Sequence, residues 1–179
     1  MLLPETTLLL VIDIQGNLAR GMYERDALYE NLQKIIRGIQ VLEIPIIVTE
    51  QIPEKLGPTI PEISSLFDNF NPIPKSSFSC CGDEKIMNAI STVNRRQILI
   101  AGIESHVCLY QTAVDLTQAG YEVHIIADCI SSRTTENRAI GIERMKEAGA
   151  KLTSTEMALF ELLKVAEGDN FREIVRIVK

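Results

Sequence analysis

A cysteine, a lysine and an aspartate lie far apart in this chain, and acyl-transfer chemistry uses all three types. Cys108 stands in the stretch Gln97 to Gly120, QILIAGIESHVCLYQTAVDLTQAG. That stretch opens as a run of branched apolar residues, Ile98-Leu99-Ile100-Ala101, passes through Gly102, and enters a helical pattern that Ser105 is suited to cap. It predicts a buried strand, a tight turn and a helix, with Cys108 in the first helical turn. There, unpaired backbone N–H groups and the positive end of the helix dipole favour a thiolate over a thiol, which makes Cys108 a candidate nucleophile. The competing account is packing, because free cysteine is among the most buried residue types. Asp13 follows the apolar run Thr7 to Ile12, and Lys75 closes the proline-containing stretch Asn71-Pro72-Ile73-Pro74-Lys75. Each also has a plainer account, Asp13 as a helix cap and Lys75 as a solvated surface residue. Gathered on loops at one sheet edge, the three would form an acyl-transfer site.

The elements that must position them follow from periodicity. Thr7 to Ile12 is apolar without alternation, the pattern of a strand buried on both faces of a parallel sheet. From Arg25 to Leu42, Leu28, Leu32, Ile35, Ile36 and Ile39 recur at threes and fours and predict a helix with one apolar face, ended before Pro45. Ile46-Ile47-Val48 is a second buried strand. A Pro- and Gly-containing loop runs from Pro53 to Asn71 with at most a short helix, and proline keeps Asn71 to Lys75 extended. A modest helix spans Asp83 to Val93. After the central strand and helix come a strand from Tyr121 to Ala127 with Asp128 at its end, a helix from Thr134 to Ala148 terminated by Gly149, and a short strand from Ala150 to Ser154. One or two helices complete the tail, Glu156 to Lys179. This alternation implies a parallel sheet covered by helices on both faces, whose site lies at the carboxyl ends of the strands, where Asp13, Gln51 and Cys108 can converge. A dinucleotide fold shares the outline, but Asp13-Ile14-Gln15-Gly16-Asn17 lacks the glycine pattern that cradles a pyrophosphate.

The 179 residues, 46% of them hydrophobic and 23% charged, predict one domain spanning residues 1–179 with a sizeable core. A net charge of −6 argues against nucleic acid or an anionic membrane as partner and favours a small molecule. Asp13 ends the first apolar run far short of a membrane span and no basic region precedes it, so the expected location is cytoplasmic. Cys80, Cys81, Cys108 and Cys129 form no spaced framework and are expected to be reduced; a redox role for adjacent Cys80 and Cys81 is the lesser alternative. His106 and His124 form no short-spaced ligand set with the cysteines, and no metal or cofactor is expected.

The segments LLLVIDIQ, VTEQIPEKLGPTIPEI, IPKSSFSC, ILIAGIESHVCLYQTAVDL and VHIIADCISSR, covering almost the whole chain, resemble the isochorismatase-like hydrolase superfamily in its cysteine-bearing branch, and most closely the isochorismatase domain-containing proteins. The resemblance implies a three-layer α/β/α fold with a central, mainly parallel six-stranded sheet and a homo-oligomer, dimer or tetramer. It places the family's catalytic aspartate on Asp13, its lysine on Lys75 and its nucleophile on Cys108. It also implies a cis peptide between Ile103 and Glu104 that aims the Glu104 N–H beside that of Cys108, as an oxyanion hole. In that chemistry Lys75 stabilises the Cys108 thiolate, Asp13 moves the proton, and an amide is cleaved through a thioester. Leu18, Gln51 and Phe78 are expected to line the substrate pocket, with core packing an equal account of Leu18 and Phe78. Two departures narrow the activity. Gln51-Ile52-Pro53-Glu54-Lys55 has no histidine where the family's nicotinamidases bind a metal, and true isochorismatases lack the cysteine nucleophile. The expectation is a metal-independent amidohydrolase of a small substrate, with a non-catalytic oligomeric interaction protein as the alternative.

Overall fold

The computed structural model describes residues 1–179. Six strands, β1 (Thr7–Ile12), β2 (Ile46–Gln51), β3 (Ile73–Lys75), β4 (Gln97–Ile103), β5 (Glu122–Ser131) and β6 (Lys151–Thr153), form one sheet in the order β3-β2-β1-β4-β5-β6. Every neighbouring pair is parallel, so the sheet is wholly rather than mainly so. The order reverses between β1 and β4, and in such sheets the crevice at that reversal is where ligands bind.

Alternating side chains of the strands feed two cores. Leu9 and Val11 of β1, with Val48, Leu99, Ala101 and Ile126, pack on one face against Leu32, Ile35, Ile36 and Ile39 of α2 (Arg25–Val41). Leu159 and Leu162 of α8 (Thr155–Leu163) and Ile174 of α9 (Gly168–Val178) join the same cluster. Leu8, Leu10 and Ile12 point to the other face, with Ile98, Ile100 and Ile125, against α5 (Glu84–Val93), α6 (Tyr110–Gln118) and α7 (Thr135–Glu147). All six residues of β1 are buried, which is why its sequence shows no alternation. Short helices α1 (Gly16–Arg20), α3 (Pro53–Leu56) and α4 (Pro61–Ser64) fill the loops after β1 and β2; the stretch from Pro53 to Asn71, expected to hold at most one short helix, holds two, each opened by a proline at its first position.

Two further local expectations need correction. The fifth strand runs on to Ser131: the β4–β5 register shifts between Ile100 and Gly102, letting the chain around Ile126 to Cys129 bulge before pairing resumes at Ile130. Asp128 therefore lies within the strand, and its carboxylate accepts from the Thr155 N–H at 2.9 Å and the Thr155 hydroxyl at 3.1 Å, at the start of α8. Nor does Ser105 cap a helix. Its hydroxyl donates to the Ser131 carbonyl at 3.0 Å, and the residues after β4 form a π-helical turn, Ser105–Leu109, before α6 begins.

Candidate active site

β1 delivers Asp13 to the carboxyl edge, where its φ of 57° turns the chain into the left-handed region that aspartate tolerates better than most residues. Asp13 is 1% exposed. Its Oδ1 accepts from the Thr49 hydroxyl at 2.8 Å, and its Oδ2 from Lys75 Nζ at 2.7 Å. Lys75 is the last residue of β3, two strands away, in register with Gln51 of β2. Its long stem crosses the end of β2, and the ammonium, wholly buried, also donates to Gln51 Oε1 at 2.6 Å and to the carbonyls of Ser77 and Phe78, each at 3.1 Å. A buried cation needs such a complete set of acceptors. Thr49 and Gln15 complete the support: Gln15 accepts from the Gln51 N–H at 2.6 Å and donates to the Gly57 carbonyl at 2.7 Å.

β4 delivers the cysteine. Gly102, at φ 133°, passes so close to β1 that a Cβ there would stand 2.1 Å from the Ile12 carbonyl oxygen, so only glycine lets the two strand ends meet beside Asp13. The Ile103–Glu104 peptide is cis. In the turn that follows, the Leu109 N–H donates to the Glu104 carbonyl at 3.3 Å, the five-residue spacing of a π-helix, while the Glu104 N–H meets no protein acceptor. Residues 104 to 106 are tied to the end of β5 one after another. Arg133 Nε donates to Glu104 Oε1 at 2.9 Å, Ser105 bonds the Ser131 carbonyl, and His106 Nδ1 lies 3.0 Å from the Ser132 hydroxyl. From the other side α7 presents Gly141, whose missing Cβ would lie 2.7 Å from the Ser105 carbonyl.

Cys108 is 7% exposed, among the apolar side chains of the second core. Its setting reverses the expectation of a thiolate. Burial, first, and the Asp13 carboxylate, both as a charge and as an acceptor for the thiol proton, push the Cys108 thiol up to about 12, against a smaller opposing effect of Lys75. Lys75 thus acts in the expected direction and is outweighed. Burial likewise pushes Cys80 up to about 12 and Cys81 up to about 11, and all four cysteines are free.

A cleft of about 100 Å³ opens onto Cys108, lined by Asp13, Leu18, Gln51, Leu56, Phe78, Ile103, Glu104 and Val107. The structure therefore brings Leu18, Gln51 and Phe78 to the same place as Asp13 and Cys108, with Lys75 behind Asp13. Phe78 is 54% exposed, so core packing does not account for it, whereas Leu18 does pack partly against the first core. His106 faces Ser132 and does not line the cleft. Sequence reasoning missed Leu56, Ile103 and Val107; the last two flank Cys108 and Glu104 and were within reach, but Leu56 comes from a loop whose path only the fold defines. Larger clefts of about 380 and 440 Å³ lie elsewhere, around Arg95 and Arg96 and around Leu162 and Asn170, and contain no cysteine. No three His, Cys, Asp or Glu side chains cluster closely enough to hold a metal ion, and no helix is long and apolar enough to cross a membrane.

Comparison with known proteins places these features in a wider group. Residues 7–157 match the model of the isochorismatase domain. Isochorismatase domain-containing protein 2 of Danio rerio is 33% identical over 172 residues, covering 96% of this chain and 86% of that protein. The MAR1 ribonuclease of Caenorhabditis elegans superposes with a TM-score of 0.92 at 30% identity, over 99% of this chain and 91% of that one. The YcaC gene product of Escherichia coli, described as an octameric hydrolase of unknown specificity, superposes with a TM-score of 0.92 at 21% identity, over 98% and 89% of the two chains.

Proposed function

This chain belongs to the isochorismatase domain family, and we propose that it is a metal-independent cysteine hydrolase that cleaves the C–N bond of a small amide, or a related acyl bond, through a thioester on Cys108. The observation that carries this reading is the convergence of Asp13, Lys75 and Cys108, from the ends of three different strands, around one cleft. Asp13 takes the thiol proton as the Cys108 sulfur attacks the carbonyl carbon. Because burial makes a free thiolate costly, proton transfer and attack belong to one step. The carbonyl oxygen, now negative, accepts from the N–H groups of Glu104 and Cys108. Collapse breaks the C–N bond, and the proton on Asp13 goes to the leaving nitrogen. Water then attacks the thioester and gives a proton to Asp13; the departing sulfur recovers that proton and the acid leaves. Lys75 keeps the buried carboxylate compensated and in place throughout.

The name of the C. elegans neighbour does not transfer to this site. A net charge of −6 and a cleft of about 100 Å³ do not suit a polyanion. Assembly into a homo-oligomer is part of the proposal, supported by the octameric state of the E. coli neighbour and by exposed Ile140, Leu152, Met157 and Val165; light scattering on the purified protein tests it. The test of the chemistry is ammonia release from a panel of primary amides. Cys108→Ala is expected to abolish turnover while leaving the far-UV spectrum and melting curve close to those of the native protein. A folded variant that still turns over overturns the mechanism.

A further inference from the structure

The cleft's lining also bears on which acyl compounds enter it, on the reading of Cys108 as an acyl acceptor. Its volume, about 100 Å³, is that of about three waters in the liquid, at ~30 Å³ each, and well below the ~300–1,000 Å³ of drug-sized ligand sites. Five of its walls, Leu18, Leu56, Phe78, Ile103 and Val107, are apolar. Its charged members are Asp13 and Glu104 alone, and no Lys, Arg or His lines it. Both cations that balance them stand outside. Lys75 is wholly buried and committed to four acceptors, and Arg133, 63% exposed, pairs with Glu104 without lining the cleft. Arg133 donates its N–H and its Nε to Glu104 Oε1 only, so Oε2 of this 8%-exposed carboxylate keeps no protein partner.

We propose that the site takes a small, neutral acyl compound, a primary amide with an unbranched aliphatic acyl group of about four carbons or fewer, and that Glu104 is the specificity-determining residue that turns anionic compounds away. A carboxylate substrate would be stripped of water beside two carboxylates, with no cation lining the cleft to receive it directly. A cationic one would lose its hydration to apolar walls and find only Glu104 Oε2 unpaired, on a carboxylate whose charge Arg133 already balances. A ring with its carboxamide, as in benzamide, is half as large again as butyramide in heavy atoms and overfills the space.

Charge selection is read without turnover by alkylating Cys108 with iodoacetamide and with iodoacetate, which have nearly the same size and differ in charge. Both consume the same thiolate, so the ratio of their rates does not depend on the thiol pKa. The ratio, measured by peptide mass spectrometry, is expected to exceed that of glutathione at least tenfold in the native protein and to fall at least threefold in Glu104→Gln. A native ratio equal to that of glutathione, or one that Glu104→Gln leaves in place, overturns the assignment of Glu104. Size is read by ammonia release: propionamide and butyramide are expected to outrun benzamide, succinamate and glycinamide, and Phe78→Ala to narrow the gap to benzamide. A preference for the aromatic or charged amides overturns the substrate class while leaving the hydrolase reading intact. If no amide is cleaved and the alkylation ratio behaves as expected, the hydrolase reading fails and the selectivity of the cleft stands.

Discussion

Asp13→Asn is expected to make Cys108 more reactive towards an alkylating agent and the protein less active as a hydrolase. The two effects share one cause. In the native protein burial and the Asp13 carboxylate hold the thiol up at about 12. Against an ordinary cysteine near 8.5, that leaves roughly three orders of magnitude less thiolate at neutral pH, with each pKa unit worth about 1.4 kcal/mol. The native alkylation rate is therefore expected to keep climbing through pH 10 without a plateau. Asparagine removes the second-largest upward influence and leaves Lys75, which acts downward, in place. Adding or removing a nearby charge moves a pKa by about 1–3 units, so the profile should shift down by at least about one unit and alkylation at pH 7.5 should rise about tenfold. Turnover loses its proton carrier and should fall by ~10²–10⁴. Breaking the buried pair costs about 3–5 kcal/mol. At roughly 2–4 °C per kcal/mol for a chain of this size, melting should fall by about 6–20 °C, so both rates are measured at 20 °C with circular dichroism on the same sample. Opening of a loosened fold would also expose buried thiols, so buried Cys129 is the control and should alkylate no faster than in the native protein. A native profile that levels off below pH 8, or a folded Asp13→Asn protein that alkylates more slowly than native, refutes the reasoning.

Gly141→Ala places a Cβ against the Ser105 backbone and must push the cysteine-bearing turn away from α7. Overpacking of this kind costs about 1–3 kcal/mol, and a melting temperature and Cys108 alkylation rate unchanged from native would show that α7 does not approach so closely. At the other edge of the sheet, Glu122 is lowered to about 2, first by the Lys151 ammonium that donates to it at 2.6 Å, with His124 and Gln97 adding hydrogen bonds. A carboxylate depressed in the folded state stabilises above its unfolded pKa of about 4.3 and loses that contribution as pH falls through the folded value. In urea titrations Glu122→Gln should therefore be less stable than native at pH 7, and the gap should close between about pH 4 and pH 2; a gap constant across that window refutes the assignment.

How far these elements were legible depends on how local their causes are. The doubly buried strands show as apolar runs such as Leu8-Leu9-Leu10-Val11-Ile12, and α2 as a repeat of Leu28, Leu32, Ile35, Ile36 and Ile39, because burial on two faces or on one stripe is written in residue order. Cys108 was found as the cysteine after a strand and a glycine, and Asp13 as the charge that ends another strand. The turn that carries Cys108 was misread because Ser105 looks like a cap, and its hydroxyl instead answers Ser131, 26 residues on. The extra length of β5 was missed because a bulge is set by the neighbouring strand and by the capping of α8, and neither is local.

From its sequence alone this chain determined a parallel α/β sheet, a net negative surface and the residue types of an acyl-transfer site. Only the tertiary structure decided that Lys75 spans the end of β2 to reach Asp13, that Leu56 joins the cleft, and that burial and Asp13 push the Cys108 thiol up rather than down. The physical reason is that hydrophobic periodicity is a property of neighbours along the chain. Desolvation and Coulomb interaction depend on distances in space between residues 13, 75, 104 and 108, and no single stretch of sequence contains them all.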